Sequence, residues 1–332
     1  MSKKQYAPPY NTTDKIVNLV AEISEQVGAI TIKNENTPNP QLRRDNQIRT
    51  IHSSLAIENN SLSLEQVTDI INGKRVLGAP NEIREVKNAY DAYNLLLTLD
   101  PYSKNDMLTA HKILMTDLTK DAGKLRSGGV GIFAGQQLIH MAPPAKFVQG
   151  HIENLLHWVR HSDAHLLVKS CIFHYEFEFI HPFDDGNGRM GRMWQTLLLV
   201  QWKPFFAWLP VEDIVRNRQQ EYYDVLAAAD KAGNCTVFVE FMLLAIRDAL
   251  SELLQTEQVR VQVTEQVEKL LDALGSETLS VREIMERLGL KHRPTITTSY
   301  IRPAIKLGLI EMTVPDKPNS KKQKYRLITK PW

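Results

Sequence analysis

The sequence predicts a mainly α-helical protein carrying one small β-hairpin and a separate basic module towards its C-terminal end. Three observations predict this. Apolar residues recur at three- and four-residue intervals along most of the chain, the signature of helices with one buried face. Gly128, Gly129, Gly131 and Gly135 punctuate short β-type runs around Ile132, Phe133, Leu138 and Ile139, which reads as an exposed hairpin up to Pro144. Charge also divides sharply: residues 291–332 hold ten Lys or Arg against two acids, whereas residues 1–290 hold 30 against 36. Such a split marks an appended module with its own electrostatic task, on nucleic acid or on an acidic partner, or else a solvated basic tail.

With 332 residues and 43% hydrophobic content, the chain suits two or three domains with real cores. The two cysteines, Cys171 and Cys235, lack the spacing of a disulfide framework or a thiolate metal site, and Cys171 reads as a small buried hydrophobe. The start, MSKKQYAPPYNTT, has no apolar signal core, and no apolar run approaches the roughly 18 residues of a membrane span. The expectation is a soluble cytoplasmic protein with no membrane partner.

After a Pro/Asn-rich arm, residues from Pro40 to Glu58 read as a helix with Leu42, Ile48, Ile51 and Leu55 on its buried face. It stops at Asn59 and Asn60, which tolerate a left-handed cap. Ser63 and Gln66 have capping-box spacing, and Leu62 is placed to staple to Val67, so a second helix runs to Asn72 and Gly73. A longer helix follows from Glu82 to Leu99. Beyond the hairpin, two helices lead inwards, and the second, from Ala164 to Ile180, is apolar on nearly every side and belongs in the core.

The segment His181-Pro182-Phe183-Asp184-Asp185-Gly186-Asn187-Gly188-Arg189-Met190-Gly191-Arg192 carries the chemistry. Pro182 disfavours helical geometry at His181, which ends the buried helix and leaves an imidazole at a mouth, where a group titrating near pH ~6.5 suits a general base. Gly186, Asn187 and Gly188 open the next helix, and backbone N–H groups at a helix start bind phosphate. At about 100° per residue, Met190, Met193, Trp194, Leu197 and Leu198 form one apolar stripe, leaving Arg189 and Arg192 to face that cradle. Asp185 supplies the hard carboxylate that Mg²⁺ bridging phosphates takes.

These residues resemble the Fic family, whose signature H-x-F-x-[DE]-G-N-G-R-x-x-R is met at all eight fixed positions. The resemblance implies a helical core that presents ATP to the hydroxyl side chain of a protein substrate. The matching His181 deprotonates the nucleophile, Asp185 holds Mg²⁺, the glycine turn binds the α- and β-phosphates, and Arg192 aligns the γ-phosphate. AMP is left on a Ser, Thr or Tyr and pyrophosphate is released. The hairpin 128–144 resembles the flap that docks the target segment, and Arg216 to Tyr223 resembles a downstream family helix. Tyr222 and Tyr223 there either line the nucleotide pocket or pack in the core. His174 and Glu178 lie four apart with no third ligand or H-E-x-x-H pattern, so they read as core or supporting residues.

Ser54 and Glu58, four apart on one helical face, sit in Ser54-Leu55-Ala56-Ile57-Glu58-Asn59, which resembles the inhibitory motif [ST]-x-x-x-E-[GN] of autoregulated Fic proteins. The expectation is that Glu58 pairs with Arg192, in a bidentate geometry, and denies it to the γ-phosphate. In some relatives this glutamate also supports AMP removal. The implied organisation is an N-terminal helical region over 1–100 with the inhibitory helix at about 41–59, a catalytic core over 101–255 and a winged-helix-like domain over 256–332.

That last domain reads as a helix from Glu265, a short helix over Ser280 to Leu288 closed by Gly289, and a third over Pro294 to Leu307. Strands Ile310 to Val314 and Tyr325 to Ile328 follow, joined by a loop bearing Lys317, Lys321, Lys322 and Lys324. Arg293, Arg302 and Lys306 are its recognition-helix candidates for DNA, although such modules also dock proteins. A nucleotide-sensing DNA-binding regulator is therefore the alternative function, and transfer of another phosphate-containing group is a third. A homo-oligomer is compatible with all of them.

Overall fold

The computed structural model describes residues 6–36, 40–134, 137–261, 265–290, 292–315, 320 and 322–328. The segment expected as a Pro/Asn-rich arm contains a 23-residue helix, α1 (Asp14–Asn36). Ile16, Leu19, Ile23, Val27 and Ile30 are all buried along it. Their spacing is helical, so the periodicity was present; the prolines and asparagines at either end conceal it. Residues before α1 strap onto later helices: Tyr6 donates its hydroxyl to Glu176 Oε2 (2.7 Å) and Cys235 N–H donates to Pro9 O (2.9 Å).

Helix α2 (Pro40–Ile57) buries Leu42, Ile48, Ile51 and Leu55, as its pattern requires, and Asn59 closes it in the left-handed region at φ 68°. Helix α3 (Leu64–Ile71) begins with both reciprocal bonds of the Ser63–Gln66 capping box. Helix α4 (Pro80–Asn94) gives way to a 3₁₀ turn, Leu96–Thr98, where one continuous helix was expected. Helix α5 (Lys104–Met115) follows. Strands β1 (Gly131–Ala134) and β2 (Gln137–Met141) then pair antiparallel, Gly131 opposite Met141, with a register shift after Ile132.

Helix α6 (Ala145–His161) leads to α7 (Leu166–Ile180), nearly every residue of which is buried, and then to α8 (Asn187–Val200). These two central helices share one apolar core with α2 to α6, through residues such as Ile51, Val86, Leu114, Ile152, Phe177 and Trp194. Helices α9 (Val211–Asn217), α10 (Gln219–Ala232) and α11 (Thr236–Val261) follow.

The chain forms two compact units, Met1–Ser251 and Glu252–Trp332. The second contains α12 (Glu265–Leu274), β3 (Leu279–Ser280), α13 (Val281–Leu288), α14 (Arg293–Ile296), a π turn over Thr297–Ile301, α15 (Arg302–Lys306), β4 (Ile310–Met312) and β5 (Lys324–Leu327). Its strands form an antiparallel sheet in the order β3-β5-β4. Its core is Val267, Leu270, Leu274, Ile284, Ile296, Ile301, Ile310 and Tyr325. The two-residue strand β3 was not expected, being too short for alternation to register. Lys317 and Lys321 lie outside the described residues.

Candidate functional site

The site lies where α7 ends and α8 begins. Pro182 has the expected effect: His181 leaves the helix in a left-handed conformation, φ 49° and ψ 64°, uncommon for a residue with a Cβ. Arg126 holds it there. This guanidinium, 3% exposed, donates to His181 O (2.7 Å), Ile180 O (3.2 Å), Gly128 O (2.7 Å) and Pro143 O (2.5 Å). One side chain therefore fixes both the strained residue and the two ends of the hairpin. The His181 ring, 18% exposed, donates Nδ1–H to Glu178 O at 3.3 Å, the tautomer in which Nε2 is the basic nitrogen.

Two further side chains shape the loop. Asn187 clamps Phe183 at both backbone groups, accepting from its N–H (2.9 Å) and donating to its carbonyl (2.8 Å). Its amide is thus occupied by the loop, and its contribution at the helix start is its backbone N–H. His111 stacks on Phe183, ring centroids 3.6 Å apart, accepts from Gly123 N–H at Nδ1 and donates from Nε2 to Asp185 O (2.9 Å). Burial pushes this imidazole down to about 4, which keeps it neutral.

Gly186 sits at φ 83° as the N-cap of α8, and no side chain caps the first-turn N–H groups. Asp185 Oδ1 accepts from Gly186 N–H (2.6 Å) and from Arg189 (3.2 Å), while its side chain remains 60% exposed. Among the described residues no three His, Cys, Asp or Glu side chains gather as a metal cage. One accessible carboxylate nevertheless fits Mg²⁺, which takes one or two protein oxygens and completes its shell with phosphates and water.

The two arginines part company. Arg189 is held by acids, Asp185 on one side and Glu85 Oε1 (3.0 Å) on the other, and Glu85 Oε2 accepts from Asn60 (2.8 Å) just beyond α2. Arg192, 3% exposed, lies against Gly188 and the end of α2. It donates to Ser54 Oγ (3.1 Å), Ser54 O (2.9 Å) and Glu58 Oε1 (2.7 Å). The pair with Glu58 uses one guanidinium nitrogen and one carboxylate oxygen, not the expected fork: Nη2 is shared between Glu58 Oε1 and Ser54 O, and Nε donates to Ser54 Oγ. Burial works most strongly against the charge on Arg192, but Glu58, Tyr222 and Glu178 together outweigh it and raise the guanidinium further.

Tyr222 is 2% exposed and its hydroxyl donates to His174 Nε2 (3.1 Å) in the interior, whereas Tyr223 is half-buried and accepts from Gln219. Tyr222 therefore follows the core alternative. Arg126, His111 and Glu85 were missed by sequence reasoning, since each meets the motif from 55 to 104 residues away.

Fold and site define a helical protein built around one histidine-to-arginine loop at the junction of two buried helices. Residues 101–199 match the model of the Fic/DOC family, and residues 265–328 match that of the "Filamentation induced by cAMP protein Fic-like, C-terminal domain". The crystal structure of a Fic family protein from Desulfovibrio desulfuricans G20 is 54% identical, with 98% of this chain and 100% of that one covered and a TM-score of 0.75. The chain belongs to the Fic family. A probable protein adenylyltransferase of Aquifex aeolicus is 26% identical over 284 residues, 78% of this chain and 79% of that protein. Protein adenylyltransferase Fic of Aedes aegypti is 26% identical over 223 residues, 64% of this chain, and the chain spans 42% of that relative's length.

Proposed function

We propose that the protein transfers AMP from ATP to a hydroxyl side chain of a protein substrate. The observation that carries this is the placement of His181, with Nδ1 held and Nε2 basic, beside an uncapped glycine-opened helix start. Nε2 accepts the hydroxyl proton, the oxygen attacks the α-phosphorus in line, and the bond to the bridging oxygen breaks to release pyrophosphate. The N–H groups at Gly186, Asn187 and Gly188, with Arg189 and Arg192, would carry the phosphate charge, so positioning and charge neutralisation supply most of the acceleration. Asp185 would hold Mg²⁺, which neutralises phosphate charge when bound. The hairpin 128–144 would dock the target segment. The names carried by the relatives support this reading.

Glu58 is proposed as the brake, since it occupies the Arg192 nitrogen that a γ-phosphate would need. A charge-assisted bond to a buried arginine contributes about 2 to 3 kcal/mol, which corresponds to suppression of roughly a hundredfold. The Glu58→Gly protein incubated with ATP labelled on the α-phosphate is expected to become, or to make a target, radioactive, and His181→Ala to abolish this. Label arriving from the γ-phosphate instead would overturn adenylyl transfer. Unchanged labelling in a folded Glu58→Gly protein would remove the brake. Reversal of the reaction, AMP removal, belongs to the same proposal.

The C-terminal unit supports a second reading, as a winged-helix-like module on nucleic acid. Arg293, Arg302 and Lys306 are exposed along α14 and α15 and form no ion pair among the described residues. Salt-sensitive binding to duplex DNA, reduced by Arg302→Glu, is its expected outcome; no binding at low salt would exclude it.

A further inference from the structure

Glu178 lies one turn before His181 on α7, and the chemistry assigned to the motif makes no use of it. It is 7% exposed, and its Oε1 has no hydrogen-bond partner. Burying a carboxyl without a partner is costly, so such a group calls for an explanation. The surroundings are specific. Oε2 lies 3.9 Å from His181 Nδ1, and Oε1 lies 3.9 Å from His174 Nε2. His174 gives no proton to it: its Nδ1–H donates to Gln195 Oε1 (2.6 Å), its Nε2 accepts from Tyr222, and burial pushes the ring down to about 3. On the facing helix, α8, room for the carboxyl exists because residue 191 is glycine; a Cβ there would stand 2.9 Å from Oε1. The remaining charges that face it are Arg192 on α8 and Glu58 beyond α2, with Tyr222 contributed by α10.

We propose that Glu178 is a positioning residue for His181: its carboxylate faces the Nδ1 edge of the ring and stabilises the imidazolium formed when Nε2 accepts the hydroxyl proton of the target. The inference rests on the reading of His181 as the base. The proton moves from the attacking oxygen to Nε2 and none is passed to Glu178, whose part is charge alone, as in any base whose far nitrogen is backed by a carboxylate. The brake bears on this arrangement. Burial pushes the Glu178 carboxyl up to about 8, Arg192 pulls it down, and the nearby Glu58 carboxylate pushes it up again. With Glu58 on Arg192, Glu178 therefore holds its proton at neutral pH and gives His181 no charge; removing Glu58 eases its ionisation, so that release of the brake also strengthens the base.

The test is the ring titration of His181, followed by NMR on histidine-labelled full-length protein and assigned by its loss in His181→Asn. In the Glu58→Gly background, adding Glu178→Gln is expected to lower the His181 midpoint by about one pH unit, the usual effect of removing an adjacent carboxylate. The acid limb of the α-label transfer profile is expected to move in the same direction, with KM for ATP unchanged and kcat reduced, a split that mere loosening of the fold does not produce. Glu178→Asp, which keeps the charge on a shorter arm, is expected to recover part of the midpoint, and it serves as the comparison should the Gln variant fail to fold. Identical His181 midpoints with and without the carboxylate would overturn the proposal. A shifted midpoint in a protein that transfers no α-label would sustain the pairing and count against adenylyl transfer.

Discussion

Gly188 stands where two claims on the same space meet. A Cβ on it would overlap Glu58 Oε1 and lie 3.0 Å from an Arg192 nitrogen, so the absence of a side chain at this residue admits the carboxylate that sits on Arg192. A glycine expected to bring backbone close to phosphate thus also makes room for the Glu58 carboxylate proposed as the brake. The two uses are separable by a double-mutant cycle. Gly188→Ala is expected to lower the melting temperature of the otherwise native protein, because Glu58 must leave its partner, and to cost less in the Glu58→Gly background, where no carboxylate is displaced. Coupling of about 1 kcal/mol or more is the expected size for side chains in direct contact. Additive effects of the two substitutions would mean that the overlap is relieved elsewhere.

The proposed brake requires that α2 stop where it does. Glu58 lies one residue beyond the last helical residue, Ile57, and the chain turns there because Asn59 adopts φ 68° while Asn60 N–H reaches back to Leu55 O (3.1 Å). Asparagine enters the left-handed region at little cost, whereas a β-branched residue loses roughly 1 to 2 kcal/mol. Asn59→Val is therefore expected to destabilise the protein by that amount, measured from denaturant midpoints, and to raise basal α-label transfer; Asn59→Gly is expected to do neither. At this scale the sequence was informative wherever the signal was local. The spacing of Ser54 and Glu58, the Ser63–Gln66 box and the apolar wrap of α7 all follow from residues within two turns of one another. The helix α1 had a legible period but misleading flanks, and β3 was too short to read. Nothing local announces that Arg126 caps the strained His181, or that Glu85 joins Asn60 to Arg189, because those contacts exist only once distant helices have packed.

The first unit folds around an electrostatic compromise that a titration can expose. Glu178 and Glu212 are both buried beside Arg192, and burial lifts them to about 8 and about 7 respectively. Burial also raises Glu176, against the pull of its bond from Tyr6. In the unfolded chain such carboxyls ionise near pH ~4.3. A carboxyl whose folded pKa is raised keeps a proton that the unfolded chain has already lost, so its contribution to stability is complete at low pH and is lost as pH rises through the folded value. The buried histidines work in the opposite sense: His174, at about 3, and His111, at about 4, remain neutral while unfolded imidazoles take up protons, but this acts only below about pH 6.5. Above that point the carboxyls decide the slope. The melting temperature is therefore expected to fall between about pH 6.5 and 8, each group weakening the folding constant by up to about tenfold per pH unit. Replacing Glu178 and Glu212 together with Gln is expected to flatten that decline and, because the same carboxyls act from about pH 4.3 upward, to steepen the rise in stability below about pH 6.5. A native protein whose melting temperature holds level across this interval would show that Arg192 keeps these acids ionised, and the charge around the arginine would then already be balanced before any phosphate arrived.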